Sequence, residues 1–539
     1  MNHASRRDVL RLLLGAPLAA ACEKHLPRRE IPGEIKGARF QLGHRLREAT
    51  LERAAGTPTR IGVAIVGAGP SGLSAAWRLE REGVADYVVF DLEGQPGGTS
   101  TFGTDGAVPH PWGAHYVPVP RRQTSALYRL LSEIDVLEPD VDSPPRALEQ
   151  MRIRAPEERL FIDGAWHEGL FPAAGASAED LAQLARFEAE VARWVAFRDA
   201  QGRRAFDLPM ARASDAPAVR ALDKLSAQQW LDDLKITSAR VRWYVEYACR
   251  DDYGLDLAHT SAWALLLYFC SRVPEPGADS APFVTWPEGN GHLVRHLVDV
   301  VGPRLELGRV VTDVVPGEDS VEFSVYSPDG GLKRYIADQV ILALPKFVVP
   351  RILRPFREAM PEHLKEFSYG VWMVANIHLS RRPRSRGFEL AWDNVLYDSP
   401  ALGYVVASHQ TLHDRGPSVW TYYQPLTDAD PKQARERLLA ADHRGLTDAI
   451  VADLSRAHLD LEACIERIDV WRWGHAMVRP RPGFIWGGAR EKASESLGRV
   501  HFAHSDLSGI ALFEEAQYRG IQAADRVLSA RGLSPKPFD

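Results

Sequence analysis

The sequence contains only four cysteines in 539 residues and no long Lys/Arg run past its first 60 positions. Cys22, Cys249, Cys270 and Cys464 include no pair at CxxC spacing, which excludes a zinc motif and a disulfide framework. We expect Cys249, Cys270 and Cys464 to be buried and to behave as small apolar side chains. With a net charge of −6, the composition gives no indication of a nucleic-acid surface.

Residues 1–22 have the layout of an export signal. Arg6 and Arg7 lie in a basic head, a short apolar run follows, and three alanines precede Cys22. The run is too short to span a bilayer, and the order Ser-Arg-Arg-Asp-Val-Leu is similar to a twin-arginine signal. We therefore expect passage through the twin-arginine translocase and a periplasmic or otherwise exported protein, with a lipid anchor at Cys22 as the alternative to plain export. For residues 23–58 the composition predicts a linker or an irregular wrapping segment.

A dinucleotide-binding fingerprint follows. Residues 61–66 have an apolar strand pattern, and the turn Gly67-Ala68-Gly69-Pro70-Ser71-Gly72 leads into an amphipathic helix. Gly67 permits a tight turn, Gly69 lets the backbone approach a pyrophosphate, and Gly72 allows close packing of helix on strand. The pyrophosphate, with Ser71 beside it, would meet the positive end of the helix dipole.

The next apolar strand pattern, residues 87–90, ends at Asp91. A carboxylate in this position accepts hydrogen bonds from the ribose hydroxyls of adenosine and disfavours a 2′-phosphate. The order strand, glycines, helix, strand and acid therefore predicts a Rossmann-type site for an adenine dinucleotide.

The residues after this acid identify a family resemblance. Gly97 and Gly98 follow Asp91 at the spacing of the flavin-containing amine oxidase superfamily, which includes monoamine oxidases, polyamine oxidases, protoporphyrinogen oxidases and phytoene desaturases. Thr99 stands where the family usually has an arginine. The resemblance implies FAD as the cofactor. We expect FAD to be bound non-covalently, because the family's flavin-linking cysteine is missing. A cofactor inserted in the cytoplasm also gives a reason to export the protein folded.

Further segments resemble cofactor-contacting parts of the same family. They are the turn WGAHYV (112–117), the segment WPEGNGHLVRHLVD (286–299), the strand LELGRVVTDV, the segment FAHSDLSG (502–509) and the closing helix of residues 512–528. The resemblance implies FAD contacts at Gly113, Ala114, His115, Val311, Ser505, Asp506 and Phe513. His504 stands where a glycine is usual.

A chain of this length needs more than one hydrophobic core, and the cofactor motifs occur at both ends and in the middle. The predicted fold class is therefore α/β, with a discontinuous Rossmann-type FAD-binding domain and a mixed α+β substrate domain. The predicted FAD-binding parts are residues 59–144, 283–345 and 471–539, and the predicted substrate parts are residues 145–282 and 346–470.

In this family the flavin carries the redox chemistry, and the protein positions the substrate and excludes water. The resemblance places Trp473 and His475 near the flavin as candidate catalytic residues. For Tyr422 and Tyr423 a role in the core is the preferred interpretation. The strand of residues 369–380 lacks the lysine that many family oxidases hold there, so oxygen and a separate redox partner both stay open as electron acceptors.

Amine oxidation by hydride transfer is the first functional hypothesis, with a small-molecule amine as substrate. Desaturation or oxidation of a polyene or a porphyrinogen is the second. A flavin-dependent isomerase and a flavin-binding module without turnover are the alternatives from other classes. The segment of residues 250–253 is either a substrate-reading cluster at a helix break or a solvated salt-bridged loop. His259 is interpreted as structural, and no metal-binding pattern is found.

Overall fold

The structure is a computed structural model, and it describes residues 29–47, 54–122, 125–139, 144–411, 415–427, 430–536 and 538. The predicted export signal and Cys22 lie outside the described residues. The other three cysteines are free and buried, as expected. Among the described residues, none of the helices combines the length and the apolar character needed to cross a membrane.

The strands, in chain order, are β1 Ile35–Gly37, β2 Thr59–Val66, β3 Tyr87–Asp91, β4 Phe102–Gly103, β5 His110–Pro111, β6 Tyr116–Pro118, β7 Glu158–Ile162, β8 Ala165–Glu168, β9 Phe283–Thr285, β10 Leu305–Leu307, β11 Val310–Pro316, β12 Val321–Ser327, β13 Gly331–Leu342, β14 Tyr369–Leu379, β15 Asp393–Leu396, β16 Tyr404–Val406, β17 Ser418–Pro425, β18 Ile465–Val478 and β19 Val500–Phe502.

The α-helices are α1 Phe40–His44, α2 Pro70–Arg81, α3 Ala126–Glu133, α4 Ala178–Ala196, α5 Pro217–Leu222, α6 Ala227–Asp233, α7 Ala239–Tyr253, α8 Ala262–Cys270, α9 Gly291–Val301, α10 Val349–Ile352, α11 Arg354–Glu358, α12 Pro431–Ala440, α13 His443–Leu454, α14 Ala489–Ser494 and α15 Phe513–Ala530.

The predicted cofactor domain is built on a seven-stranded sheet of order β10-β3-β2-β13-β12-β11, with β19 added beside β13. Strands β3, β2, β13 and β19 are parallel to one another. Apolar runs such as IGVAIV suit a parallel sheet that is covered on both faces, and α2 packs on it together with α9 and α15. Strands from three separated stretches of chain share the sheet, so the prediction of a discontinuous Rossmann-type domain is confirmed.

A second sheet of eight strands has the order β1-β18-β14-β17-β16-β15-β7-β8. Its central strand β14 is buried along its whole length, between β18 and β17. Strand β18 continues past residue 470 to Val478, so Trp471 and Trp473 lie in this second sheet. Strand β1 pairs in parallel with β18, so part of the expected linker is a strand of the substrate-side sheet. The buried residues of helices α4 to α8 belong to one apolar cluster with buried residues of the first sheet, such as Val66 and Phe90.

Candidate cofactor and substrate site

Two glycines of the turn between β2 and α2 have no room for a Cβ atom. Gly67 has a φ of +106°, and a Cβ there would lie 2.5 Å from the carbonyl oxygen of Ala343. A Cβ on Gly72 would lie 1.8 Å from the carbonyl oxygen of Gly67. Gly69 is the N-cap of α2 and faces the backbone of Gly98. These positions have the geometry predicted for a pyrophosphate-binding turn at a helix N-terminus.

Asp91 lies at the end of β3, as predicted, and its carboxylate is held by the backbone. Its Oδ2 accepts a hydrogen bond from the amide of Ala68 at 2.5 Å, and its Oδ1 accepts one from the amide of Glu93 at 2.7 Å. Burial raises the pKa of Asp91, although these two hydrogen bonds oppose the rise. A carboxylate has further lone pairs to offer, so this arrangement leaves Asp91 able to accept from ribose hydroxyls.

A large cavity of about 750 Å³ opens beside Asp91. Gly67, Asp91 and Val311 line it, which brings together three predicted cofactor contacts from β2, β3 and β11. The segment from Ile35 to Arg47 covers one side of the cavity. The cavity therefore has the lining expected of the adenosine end of a dinucleotide site.

A second space, which we call the front chamber, has a volume of about 140 Å³. Its lining includes five predicted contacts: Thr99, Gly113, Ala114, His115 and Phe513. Phe513 is the first residue of α15, so the N-terminal end of this helix faces the chamber. The positive end of a helix dipole there would stabilise negative charge on a bound ring.

The two candidate catalytic residues occupy different places. Trp473 lines both the large cavity and the front chamber, and its Nε1 donates a hydrogen bond to the carbonyl oxygen of Trp112 at 2.6 Å. His475 lines the large cavity, where its ring stacks on Phe347 with centroids 4.2 Å apart. Burial lowers the pKa of His475 to about 4, with help from nearby cations such as Arg435. His475 is therefore a neutral imidazole at pH 7.

Ser71, Ser505 and Asp506 are brought together where the last predicted motif meets α2. The amide of His504 donates to Ser71 Oγ at 3.0 Å. Asp506 accepts hydrogen bonds from the hydroxyl of Tyr369 at 2.5 Å and from the amide of Lys346 at 2.8 Å. Burial alone would raise the pKa of Asp506, but the His504 ring and the Tyr369 hydroxyl outweigh it and the pKa is lowered. An ionised Asp506 thus links this motif to Tyr369 of β14 and to the backbone of Lys346.

The front chamber also contains charged groups, and the sequence suggested only the two aspartates of residues 250–253 among them, as one of two interpretations. Asp251 and Asp252 end α7, and both line the chamber with Arg272 and Glu514. The side chain of Asp252 is 6 % exposed, so the alternative of a solvated loop is wrong for this segment. The motif Arg-Asp-Asp-Tyr was the available signal for the two aspartates. Nothing in the sequence around Arg272 pointed to the site.

The charges of these groups are coupled through Arg272. Burial would lower the pKa of Arg272, but Tyr116, Asp252 and Glu514 outweigh it and the pKa is raised. Burial raises the pKa of Glu514 to about 7, although Arg272 opposes the rise. The carboxyl group of Glu514 therefore changes its charge near neutral pH.

The strand that the resemblance places beside the flavin, β14, contributes to the front chamber. Trp372 and Val374 of β14 line the front chamber, and β14 contains no lysine. Lys346 is buried nearby, but its Nζ donates to the carbonyl oxygen of Ala503 at 3.1 Å. Tyr423, interpreted as a core residue, lines the chamber and donates to the carbonyl oxygen of Gly113 at 2.9 Å.

The remaining motifs from the sequence have structural roles. His259 is exposed and hydrogen-bonds Asp256 through Nδ1 at 2.7 Å. Tyr422 is buried and donates to Asp453 at 3.1 Å. Within the described residues, no group of three or more metal-binding side chains is found.

Comparisons with known proteins agree with this geometry. A family model described as "NAD(P)-binding Rossmann-like domain" matches residues 65–134. The Mycobacterium tuberculosis protein AofH, which bears the name flavin-containing monoamine oxidase, is 23% identical over 496 residues, covering 87% of this chain and 97% of AofH. Oxidoreductase PigB from Serratia sp. is 26% identical over 266 residues, covering 45% of this chain and only 38% of PigB.

Solved structures show the same fold. A putrescine oxidase bound to putrescine has a TM-score of 0.64 at 19% identity, covering 88% of this chain and 100% of its own. Cyclohexylamine oxidase from Brevibacterium oxydans has a TM-score of 0.61 at 17% identity, covering 88% and 99%. A fatty acid isomerase from P. acnes has a TM-score of 0.58 at 15% identity, covering 86% and 98%. The predicted fold class and the predicted resemblance to flavin-dependent oxidoreductases of the amine oxidase type are confirmed.

Proposed function

We propose that the protein binds FAD non-covalently and oxidises an amine by hydride transfer to the flavin. The observation that carries the proposal is the front chamber, in which flavin-site residues and buried carboxylates face one space. A carboxylate attracts a cationic amine, and the aromatic walls (Trp372, Tyr423 and Trp473) exclude water from it. A desaturase or an isomerase of apolar substrates would not need several buried acids at this place.

The residues present fit FAD. At Gly67 and Gly72 a Cβ would clash with the protein backbone, so this turn has the tight form of a pyrophosphate-binding turn. Asp91 and Val311 line the cavity that would hold the adenosine end. Asn290 lines the front chamber and is 1 % exposed, yet its Oδ1 has no hydrogen-bond partner among the described residues. A buried, unsatisfied amide oxygen costs free energy unless a ligand pairs with it. A flavin ring, which carries an N–H donor, would supply that partner.

The chain's own groups would prepare the amine for oxidation. Bound FAD would supply the hydride acceptor for this oxidation, and removal of a hydride from the carbon beside a neutral amine nitrogen gives a protonated imine. The amine must first lose its ammonium proton, and desolvation by the aromatic walls favours the neutral form. Glu514 is a suitable acceptor for that proton, because its Oε1 is unpartnered among the described residues and its pKa is about 7.

The fold leaves a second function open. The likeness to the fatty acid isomerase shows that this architecture also occurs in a redox-neutral enzyme, and fold alone does not fix function. The missing lysine in β14 speaks against rapid reaction with oxygen, so we propose that a redox partner, with oxygen as the alternative, is the final electron acceptor. Export by the twin-arginine translocase is also part of the proposal. Replacing both Arg6 and Arg7 with lysine should keep the protein in the cytoplasm, and an unchanged periplasmic yield would reject it.

Anaerobic spectroscopy of the purified protein tests the proposal. The visible flavin band should be present without added cofactor and should bleach when one member of an amine panel is added. Flavin released by acid would show that the attachment is non-covalent. The isomerase would be favoured instead if no amine bleached the flavin band and the protein turned over a substrate only after chemical reduction of the flavin.

A further inference from the structure

Residues 34–47, which we call the strap, lie along one side of the large cavity. They comprise β1, α1 and the turn that follows α1, and most of them line the cavity, from Ile35 at one end to Arg47 at the other. Asp91 and Val311, the predicted contacts of the adenosine end, line the same cavity. The strap precedes the glycine fingerprint in the chain, and no cofactor motif of the sequence includes it. Its position places it against the adenosine end of FAD.

The beginning of the strap is attached to the substrate-side sheet. Strand β1 lies at the edge of that sheet and pairs in parallel with β18, with Ile35 opposite Val470. Beside this pairing, the ammonium of Lys36 donates a hydrogen bond to Asp105 at 2.8 Å and lies 5.3 Å from the centre of the Trp112 ring. Backbone pairing and one ion pair thus hold the first residues of the strap in place.

The rest of the strap is attached to the cofactor domain. The amide of Arg39 donates to both carboxylate oxygens of Glu93, at 3.0 Å each, in the loop that follows β3. The guanidinium of Arg45 donates to the hydroxyl of Tyr326 in β12 and lies 4.4 Å from the centre of that ring. The strap therefore runs from one sheet to the other along the side of the cavity.

The strap is held less firmly than the strands around the cavity. None of its residues, all of which the structure describes, is buried, and α1 is only 5 residues long. Strand β1 lies at the edge of its sheet, whereas β2, β3 and β18 each have a neighbour on both sides. Segments with few buried contacts open most easily. The strap can therefore move away from the cavity without breaking the pairing of a central strand.

The strap also brings positive charge to the cavity. Arg47 lines it, together with Arg309 and Arg472 of the other walls, and cationic side chains outnumber acidic ones in the described lining. The pyrophosphate of FAD is an anion, which a lining of this kind attracts. The charge of the strap thus favours its closure over a bound cofactor.

We infer that the strap is part of the FAD site: it closes over the adenosine end once the cofactor has entered, and it slows the release of the cofactor. The inference rests on the FAD-binding part of the proposed function and does not depend on the substrate. A non-covalent cofactor leaves only as fast as its site opens, and here the strap must open first. By linkage, bound FAD in turn holds the strap closed.

The rate at which FAD leaves the flavin-loaded protein tests the inference. Arg45→Ala combined with Asp105→Asn removes two side-chain attachments of the strap, and neither residue lines the cavity. We expect FAD to leave about fivefold faster, as the loss of two partly exposed contacts predicts. The matched control is Arg60→Ala combined with Asp338→Asn, an exposed pair 3.7 Å apart that does not line the cavity. FAD release from the control should be unchanged.

Trypsin supplies a test on the flavin-loaded wild type, which decides if the double variant fails to fold. The strap contains three cleavage sites, at Lys36, Arg39 and Arg45. Mass spectrometry follows cleavage at each site, and fluorescence follows the released flavin. We expect each molecule cut in the strap to lose its FAD, or the strap to resist trypsin until FAD has left. Cleavage at Arg384, whose side chain is 87% exposed and lies outside the cavity lining, should release no FAD.

The outcomes separate the strap from the rest of the proposed function. FAD that stays bound after the strap is cut, or that leaves a folded double variant at the wild-type rate, would overturn the strap even if an amine bleached the flavin. Faster release from the double variant, with no bleaching by any amine, would support the strap and reject amine oxidation. A wild-type protein that binds no FAD would overturn both the strap and the cofactor assignment.

Discussion

The two ends of the candidate site are constructed in different ways. At the phosphate end, the site is formed by backbone and glycines. Gly67 and Gly72 lie within one turn, and a backbone amide holds the carboxylate of Asp91. At the chamber end, the site is lined by side chains, which come from α7, β14, β18 and α15. The first end binds a cofactor part that is the same in many proteins. The second end must recognise a particular substrate.

This difference explains how much the sequence could predict. The glycine turn, Asp91 and their strand-helix context lie within a short stretch of chain, so local pattern and known geometry sufficed. Val311 and Phe513 were placed by family resemblance, and both line the expected cavities.

The chamber end could not be predicted in the same way. Arg272 follows α8, Glu514 lies at the start of α15 and Asp252 lies near the end of α7, so the fold alone brings their charges together and no spacing in the sequence encodes this. Tyr423 is buried in an apolar cluster, as predicted, but it also lines the front chamber, because an aromatic run in a buried strand has the same pattern whether or not one face borders a cavity. The strand pairing of Ile35–Gly37 with β18 was missed because three residues carry no periodic signal.

The largest effect is expected at the phosphate end. Gly72→Val should abolish flavin binding and unfold the cofactor domain, because its Cβ would overlap the carbonyl oxygen of Gly67 at 1.8 Å. Flavin content and thermal melting measure it. Gly202→Asn is the control, since Gly202 is exposed, its φ of +75° is one that asparagine tolerates, and nothing lies within 4 Å of an added Cβ. A Gly72→Val protein with normal flavin content would show that the turn does not bind the cofactor closely.

Asp91→Ala should weaken FAD affinity by about 2 kcal/mol, through the loss of one or two charge-assisted hydrogen bonds. Equilibrium binding of FAD to the apoprotein measures the change. Asp338→Ala serves as the control, because the side chain of Asp338 is half exposed and lies away from the cavity. Unchanged affinity in Asp91→Ala would remove Asp91 from the site.

Trp473→Phe tests whether the wall between the two cavities matters. The substitution removes the Nε1 donor to Trp112, so we expect a loss of about 1 kcal/mol in stability and a slower flavin reduction. Trp471→Phe is a matched control, since Trp471 stacks on Trp473 at 5.1 Å but its Nε1 has no partner among the described residues. Equal effects of the two substitutions would argue that only ring packing is at stake.

The smallest effect concerns stability against pH. Burial raises the pKa of Glu158 to about 8 and of Asp393 to about 7, above their unfolded values. Their protonated forms therefore stabilise the fold at low pH, and this contribution is lost as pH rises from about 4, near the unfolded pKa values, to about 8. The free energy of unfolding without ligand should fall over that range, and less steeply in Glu158→Gln. A parallel slope in the two proteins would mean that Glu158 keeps an ordinary pKa.

The central claim is that the chamber end performs amine oxidation with Glu514 as the proton acceptor. The direct test is the rate of anaerobic flavin reduction by the preferred amine, measured from pH 6 to 9 in the wild type and in Glu514→Gln. We predict a wild-type rate that rises through about pH 7, the pKa of Glu514, and a slower variant in which this rise is missing. A variant with the wild-type rate and pH profile would contradict the assignment of Glu514, and a wild-type flavin that no amine reduces would contradict the account as a whole.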